Sequence, residues 1–219
     1  MIIAIDGPAG AGKSTVGKRT ARKLGFLYID TGAMYRALTL KAIEQGISVN
    51  DEPAIIRMAE NTVIDLINKE DGSLAVMLDS RDVSKEIRQP RITQLVSDIA
   101  KIKEVRRIMV CLQRKLGKQK NSVLDGRDIG TVVFPDADRK FYVDADFKER
   151  VRRRFEELKE TGQAITFEEV EADLHNRDTI DSTRAVAPLK RADDAIYLDT
   201  TKMSIDEVIE AILTRIKNG

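Results

Sequence analysis

Gly7-Pro8-Ala9-Gly10-Ala11-Gly12-Lys13-Ser14 follows directly on the apolar run Ile2-Ile3-Ala4-Ile5. The run reads as a buried parallel strand. The eight residues after it fit G-x-x-x-x-G-K-[ST], the phosphate-cradling loop. Residues 15–24 then read as a helix. The chemistry requires this order: glycines let the backbone curl so that successive N–H groups point inward, and the helix start adds its positive end. Lys13 has the reach for the outer phosphates, and the Ser14 hydroxyl can ligate Mg²⁺. Gly7, Pro8, Ala9, Gly10, Ala11, Gly12, Lys13, Ser14 and Thr15 are therefore the candidate donor-binding residues. A Gly-rich turn that binds nothing is the alternative; the strand before the motif and the helix after it weigh against that.

Working outward, residues 26–30 read as a second strand. Thr31-Gly32 opens a helix with Thr31 as its N-cap. Met34, Leu38 and Ala42 share one face of it, Tyr35 and Arg36 lie elsewhere, and Gly46 ends it. Residues 52–58 read as a short helix. Residues 62–67 and 74–78 are β-rich runs around the turn Lys69-Glu70-Asp71-Gly72, and a polar stretch with Val83 and Ile87 runs to Pro90. Residues 92–115 carry apolar residues at helical spacing. Residues 123–126 form a third core strand emptying into Arg127-Asp128-Ile129-Gly130. Asp125-Gly126 alone also fits a hairpin turn, but the charges straight after it favour a strand end at a ligand crevice.

Residues 140–144 and 195–199 complete the strands. Between them, residues 147–160 form a helix with Val151, Phe155 and Leu158 on one face and Arg150, Arg153 and Arg154 on the other. Residues 167–178 form another helix. Ser204-Ile205-Asp206-Glu207 is a capping box for the terminal helix, whose stripe is Val208, Ile209, Ile212, Leu213 and Ile216. Alternating strands and helices predict an α/β fold, a parallel sheet of about five strands with helices on both faces.

Composition narrows the function. In 219 residues, 33% are charged, and Lys+Arg 37 against Asp+Glu 36 nearly cancel. That balance argues against a nucleic-acid or membrane-surface binder. Cys111 is the single cysteine, which fits a reducing compartment. No apolar run is long enough to cross a bilayer, and the opening strand has no basic stretch of the secretory kind. A cytoplasmic chain acting on small molecules, as a monomer, is the expectation. With one histidine, His175, there is no zinc site to build and no Ser-His-Asp arrangement to pursue.

A phosphate loop implies a nucleotide but leaves the reaction open. Four further clusters bear on it. Asp30-Thr31-Gly32-Ala33-Met34-Tyr35-Arg36 offers Arg36 as a second phosphate clamp, although the stretch alone equally fits a capped helix with a solvated arginine. Asp125-Gly126-Arg127-Asp128 sets an arginine beside a carboxylate at a strand end, where the arginine can hold phosphate and the acid can accept from an amine. Arg150, Arg153 and Arg154 on one helix face can close over phosphates and exclude water; alone, that face also reads as a solvated one paired with Glu149, Glu156 and Glu157. Arg177, Asp178, Asp181 and Arg184 form the fourth cluster, where Asp181 can accept from sugar hydroxyls.

Together with Ile129-Gly130-Thr131-Val132-Val133-Phe134-Pro135-Asp136 and Arg184-Ala185-Val186-Ala187-Pro188-Leu189, these stretches resemble the bacterial cytidylate kinases of the nucleoside-monophosphate kinase family. The resemblance spans nearly the whole chain, and its most specific part is 125–136. It implies a core of about 1–42, 90–147 and 189–219, a monophosphate-binding insert of about 43–89 and a helical lid of about 148–188. It implies transfer of the ATP γ-phosphoryl group, with Mg²⁺, to CMP or dCMP. Ser97, Arg106 and Asp128 would then read the cytosine, and Arg36 and Arg127 hold the monophosphate. Arg177, Asp181 and Arg184 would meet the sugar and phosphate, beside Thr31 and Tyr35. Lys13, Arg127, Arg153 and Arg154 would be the catalytic cations. The loop ends Gly-Lys-Ser-Thr where some relatives have Gly-Lys-Gly-Thr, so Ser14 as a metal ligand follows from the general motif alone. Other readings stay open: a kinase for UMP, AMP or a non-nucleotide metabolite, or a nucleotide-driven switch that binds nucleic acid.

Overall fold

The computed structural model describes residues 1–160 and 162–218. Residues 161 and 219, which fall in the expected lid and the last core segment, lie outside the described residues. Five parallel strands make the main sheet: β1 (Ile2–Asp6), β2 (Leu27–Asp30), β6 (Ser122–Gly126), β7 (Arg139–Asp144) and β8 (Ile196–Asp199), in the order β2-β6-β1-β7-β8. β1 is central because it is apolar on both faces: Ile3, Ala4 and Ile5 have no exposed surface. β6 pairs parallel with both β1 and β2, so Asp125-Gly126 is a strand end and not a hairpin turn.

A separate antiparallel sheet, β3 (Ile64–Asn68), β4 (Leu74–Leu78) and β5 (Arg81–Asp82), lies within the segment read as an insert. On one face of the main sheet pack α2 (Thr31–Glu44), α3 (Glu52–Glu60), α4 (Pro90–Ala100) and α5 (Lys103–Gly117). On the other pack α1 (Lys13–Leu24) and α8 (Ile205–Lys217). A small third cluster joins Ala9 to Val151 and Leu158 of α6 (Phe147–Glu160) and to Val170 and Leu174 of α7 (Phe167–Thr183).

Three local expectations are corrected. Thr31 is not the N-cap of α2; the Asp30 carboxylate accepts from Ala33 N at 2.7 Å, because its side chain reaches the third helical N–H. That leaves Thr31 Oγ1 free to donate to Asp125 O at 2.7 Å. α2 has no single apolar stripe: Tyr35, Ala37, Thr39 and Leu40 are buried as well, since it lies between the main sheet and the sheet of β3, β4 and β5. The 92–115 helical region is two helices, broken where Ile102 takes an extended backbone (φ −67°, ψ 120°) and buries its side chain. The boxes at Ser204 and Glu207, and at Thr166 and Glu169, cap α8 and α7.

Candidate active site

Parallel strands deliver their carboxyl ends to one edge, and a single crevice of about 630 Å³ opens there. At one end lies the phosphate loop. Gly7 has φ +150°, and a Cβ on it would come within 1.9 Å of Val143 O, so only glycine fits where the loop leaves the sheet. Gly12, in the left-handed conformation, caps α1 and turns its N-terminus toward the crevice. Lys13 Nζ donates to Pro8 O at 2.6 Å, holding the side chain folded over the loop. Burial, and then the Arg127 charge, pull the Lys13 ammonium well below the ordinary lysine range; the negative charge of a polyphosphate would reverse that.

Beside Lys13, two carboxylates are buried. Asp125 accepts from Ser14 Oγ and from the Tyr28 hydroxyl, both at 2.8 Å. Burial, and then Asp30, push its carboxyl up to about 6. Asp6, also pushed up to about 6 by burial, accepts from Ile129 N at 2.8 Å and Gly130 N at 2.7 Å. Those bonds pin the turn that carries Arg127 and Asp128. No group of three or more acidic, histidine or cysteine side chains is placed to hold a metal among the described residues. The Ser14 hydroxyl beside Asp125 is nonetheless an oxygen donor set that suits Mg²⁺, which takes one or two protein ligands and fills its shell with phosphate and water.

At the other end of the crevice, side chains converge from four helices and one turn. Arg106 of α5 donates to Asp128 and, through Nη1, to Ala100 O at 3.0 Å; it also stacks over Tyr35, 5.5 Å from the ring centroid. Arg184 lies 3.7 Å from Asp128 and 3.4 Å from Asp181. Arg127 Nε donates to Asp181 at 2.8 Å. The net effect holds the Asp181 carboxyl low: burial opposes it, but the charges of Arg127 and Arg184 win. Among the described residues, Arg177 Nε and Arg184 Nη2 are buried donors with no hydrogen-bond partner, and such groups are expected to meet a ligand or water. Burial pushes the Tyr35 phenol up to about 12, so it stays a neutral hydroxyl.

Arg36 has no carboxylate within 4 Å among the described residues, unlike its neighbour Arg88, whose Nη2 reaches Asp30 Oδ2 at 3.1 Å. Burial, and then Arg177, with Arg88 and Arg154 adding to it, push the Arg36 guanidinium down to about 9. Like charges crowded around a free guanidinium make a strong trap for an anion. Over the crevice, Arg153 donates to Thr200 O at 2.6 Å and to Glu149 at 2.8 Å, and Arg154 pairs with Glu157 at 2.7 Å.

The donor-, acceptor- and phosphate-binding candidates line this crevice except Gly7 and Pro8, which shape the loop behind it; Arg150 and Asp178 of the charged clusters also lie outside it. Arg150 is the correction. It does not share the face of Arg153 and Arg154; it is buried against the phosphate loop and α7, because its guanidinium is taken by Ala9, Ala145 and Asp178. Arg152, between them in sequence, reaches the crevice instead. Arg88 was missed, and nothing in its local spacing marks it. The mouth at Thr200, Met203 and Ile205 was missed too, although the C-terminal end of β8 could have flagged it.

A phosphate loop at the end of a central parallel strand, facing an arginine-lined crevice, defines a phosphotransferase of the phosphate-loop class. A family model described as Cytidylate kinase matches residues 3–218. A cytidylate kinase of Caldanaerobacter subterraneus subsp. tengcongensis is 52% identical over 99% of this chain and 95% of its own. One of Clostridioides difficile is 50% identical over 99% and 98%. The chain belongs to the cytidylate kinase family. Among solved structures, an uncharacterized protein from Eubacterium ventriosum superposes with a TM-score of 0.56 at 12% identity, covering 100% of this chain and 99% of that one; that likeness speaks to the fold alone.

Proposed function

We propose that this enzyme moves the γ-phosphoryl group of ATP in line onto the phosphate of CMP or dCMP, giving ADP and CDP or dCDP. The bond broken joins the γ-phosphorus to the β,γ-bridging oxygen; the bond formed joins it to an acceptor phosphate oxygen. The reading rests above all on one observation: Lys13 and Asp128 line one continuous crevice together with the guanidinium groups of Arg36, Arg127, Arg177 and Arg184.

The loop amides of 10–14 cradle the donor phosphates, and Lys13 reaches the group in transfer. Arg36 and Arg127 hold the acceptor phosphate. Arg177, Asp181 and Arg184, with Thr31 and Tyr35, meet its sugar and phosphate. Asp128 accepts from the cytosine amine, while Arg106 and Ser97 serve the ring nitrogen and carbonyl. Arg153 and Arg154 leave their present partners to cover charge on the transferring group. Ser14, beside Asp125, would hold Mg²⁺, which would supply charge neutralisation for the donor phosphates. The acceptor oxygen is already ionised, so no side chain must act as a strong base.

In this reading 43–89 is the monophosphate-binding insert and 148–188 the lid. No helix among the described residues is long and apolar enough to cross a membrane. The near-neutral charge supports an enzyme that does not bind nucleic acid, and the enzyme is read as a cytoplasmic monomer. The test is an acceptor panel with ATP and coupled ADP detection. CMP and dCMP are expected to lead UMP, AMP and GMP; a lead for UMP or AMP would overturn the cytosine assignment.

A further inference from the structure

Arg150 and Asp178 have no role in the reaction above, yet between them they hold one residue of the phosphate loop. Ala9 donates its N–H to Asp178 Oδ1 at 3.1 Å. The Ala9 carbonyl accepts from Arg150 Nη1 at 2.9 Å. Arg150 Nη1 also donates to Asp178 Oδ2 at 2.5 Å, which closes a ring of three residues. Arg150 Nε donates to Ala145 O at 3.1 Å, and the guanidinium stacks 5.2 Å from the Phe147 ring centroid. With 8% of its surface exposed, Arg150 has no reach left for a phosphate.

Packing at the next residue is equally tight. Gly10 sits at φ +75°, and a Cβ there would come within 2.9 Å of Leu174 Cδ2 and 3.0 Å of Arg150 O. α6 and α7 therefore rest directly on the loop. Asp178 follows Arg177 in sequence and lies one turn before Asp181 on α7. The helix that faces the acceptor end thus also grips the donor end.

We infer that Arg150 and Asp178 are a positioning pair: by fixing both polar backbone groups of Ala9 from α6 and α7, they set the curl of the phosphate loop and tie donor binding to the place of α7. The inference rests on the reading that the 7–14 loop takes the donor phosphates. The physics is that of converging amides. A loop that binds through several N–H groups at once works only while its peptide planes keep their angles, and a misplacement of about 1 Å is costly. Ala9 precedes the amides of 10–14, whose N–H groups are the ones left for phosphate, so freeing it lets that part of the loop rotate as a unit. Asp178 can serve both donors because an ionised carboxylate accepts on each oxygen.

The experiment measures three quantities on the full chain: the Kd for ATP without acceptor, the Kd for CMP without donor, and the melting temperature. The double variant R150M/D178A removes the pair without leaving a lone buried charge, and apolar replacement of such a pair is often neutral in stability. Its ATP Kd is expected to rise on the order of 10-fold, with the CMP Kd unchanged. An unchanged ATP Kd overturns the inference, and so does an equal weakening of both ligands, which would mean general loosening. Should the double variant not fold, D178N replaces it. Asparagine offers one acceptor where two donors converge, so the same loss of ATP affinity is expected, and a wild-type Kd again overturns the inference. If wild-type enzyme failed to phosphorylate CMP while the variants still lost ATP affinity, the proposed function would fall and the pair would stand.

Discussion

The two ends of the crevice are built by opposite strategies. In the proposed reading the donor end is the 7–14 loop, whose working groups are backbone amides placed by glycine geometry at Gly7 and Gly12. The acceptor end is made of side chains that arrive from α2, α4, α5, α7 and the turn after β6. Amides carry no net charge and need no counter-ion. Guanidinium groups do, and here Asp128 and Asp181 hold Arg106, Arg127 and Arg184 in register. The difference teaches that a local motif can bind phosphate anywhere, whereas recognition of a particular acceptor needs carboxylates that keep the arginines apart and aimed.

Lys13→Ala strikes the donor end and should have the largest effect, a loss on the order of 10²- to 10³-fold in kcat. CMP affinity should hold, as equilibrium titration would check; a parallel loss of CMP binding would mean that the two ends are not separate. Asp128→Ala strikes the acceptor end. The preference for CMP over UMP should narrow on the order of 10²-fold, read as the ratio of the two kcat/KM values, and an unchanged ratio would remove Asp128 from base recognition. The same change leaves Arg106 buried without its partner, so a stability loss of roughly 3–5 kcal/mol is expected in denaturant titration.

Arg36→Ala sharpens the contrast, because Arg36 is the proposed acceptor-end arginine with no carboxylate within 4 Å among the described residues. Stability should not fall and should rise, because the change removes a buried guanidinium crowded by like charges. KM for CMP should rise roughly 10- to 100-fold, the value of one or two charge-assisted bonds. A fall in stability as large as that of Asp128→Ala would show that Arg36 is structural.

The smallest effect is a pH dependence over the crevice. Hydrogen bonds from Arg152, and then Arg153, outweigh partial burial and hold the Glu149 carboxyl at about 2. A carboxylate held below its unfolded value of 4.5 stabilises the fold above that pH, and the gain is lost as pH falls toward 2. Solvent screening keeps it to at most about 1 kcal/mol. Glu149→Gln should flatten acid melting between those pH values, while Asp6 works in the opposite sense. Its carboxyl, raised from 3.8 to about 6, favours the fold below pH 3.8 and loses that favour as pH rises through 6.

Most of the frame was legible because its signals are local. Strand, loop and helix at residues 2–24 need only an apolar run, glycines and a capped helix start. The capping box at Ser204 reads from four residues. What misled were places where two elements compete for one side chain. Arg150 looked like a neighbour of Arg153 and Arg154 because all three share a helix of charged residues, and spacing cannot say that Ala9 and Asp178 claim it first. Thr31 looked like a cap because threonine suits one; the Asp125 carbonyl, 94 residues away, takes its hydroxyl instead.

By itself, then, the sequence determined the order of strands and helices, the phosphate loop, and the pool of arginines and carboxylates from which a second site could be drawn. Tertiary structure decided which of those charges are free and which are spent. Among the described residues Arg36 is left without a carboxylate and Arg150 has two, Asp144 and Asp178, because ion pairing depends on which elements the sheet brings within a few ångströms, and no local pattern encodes that distance.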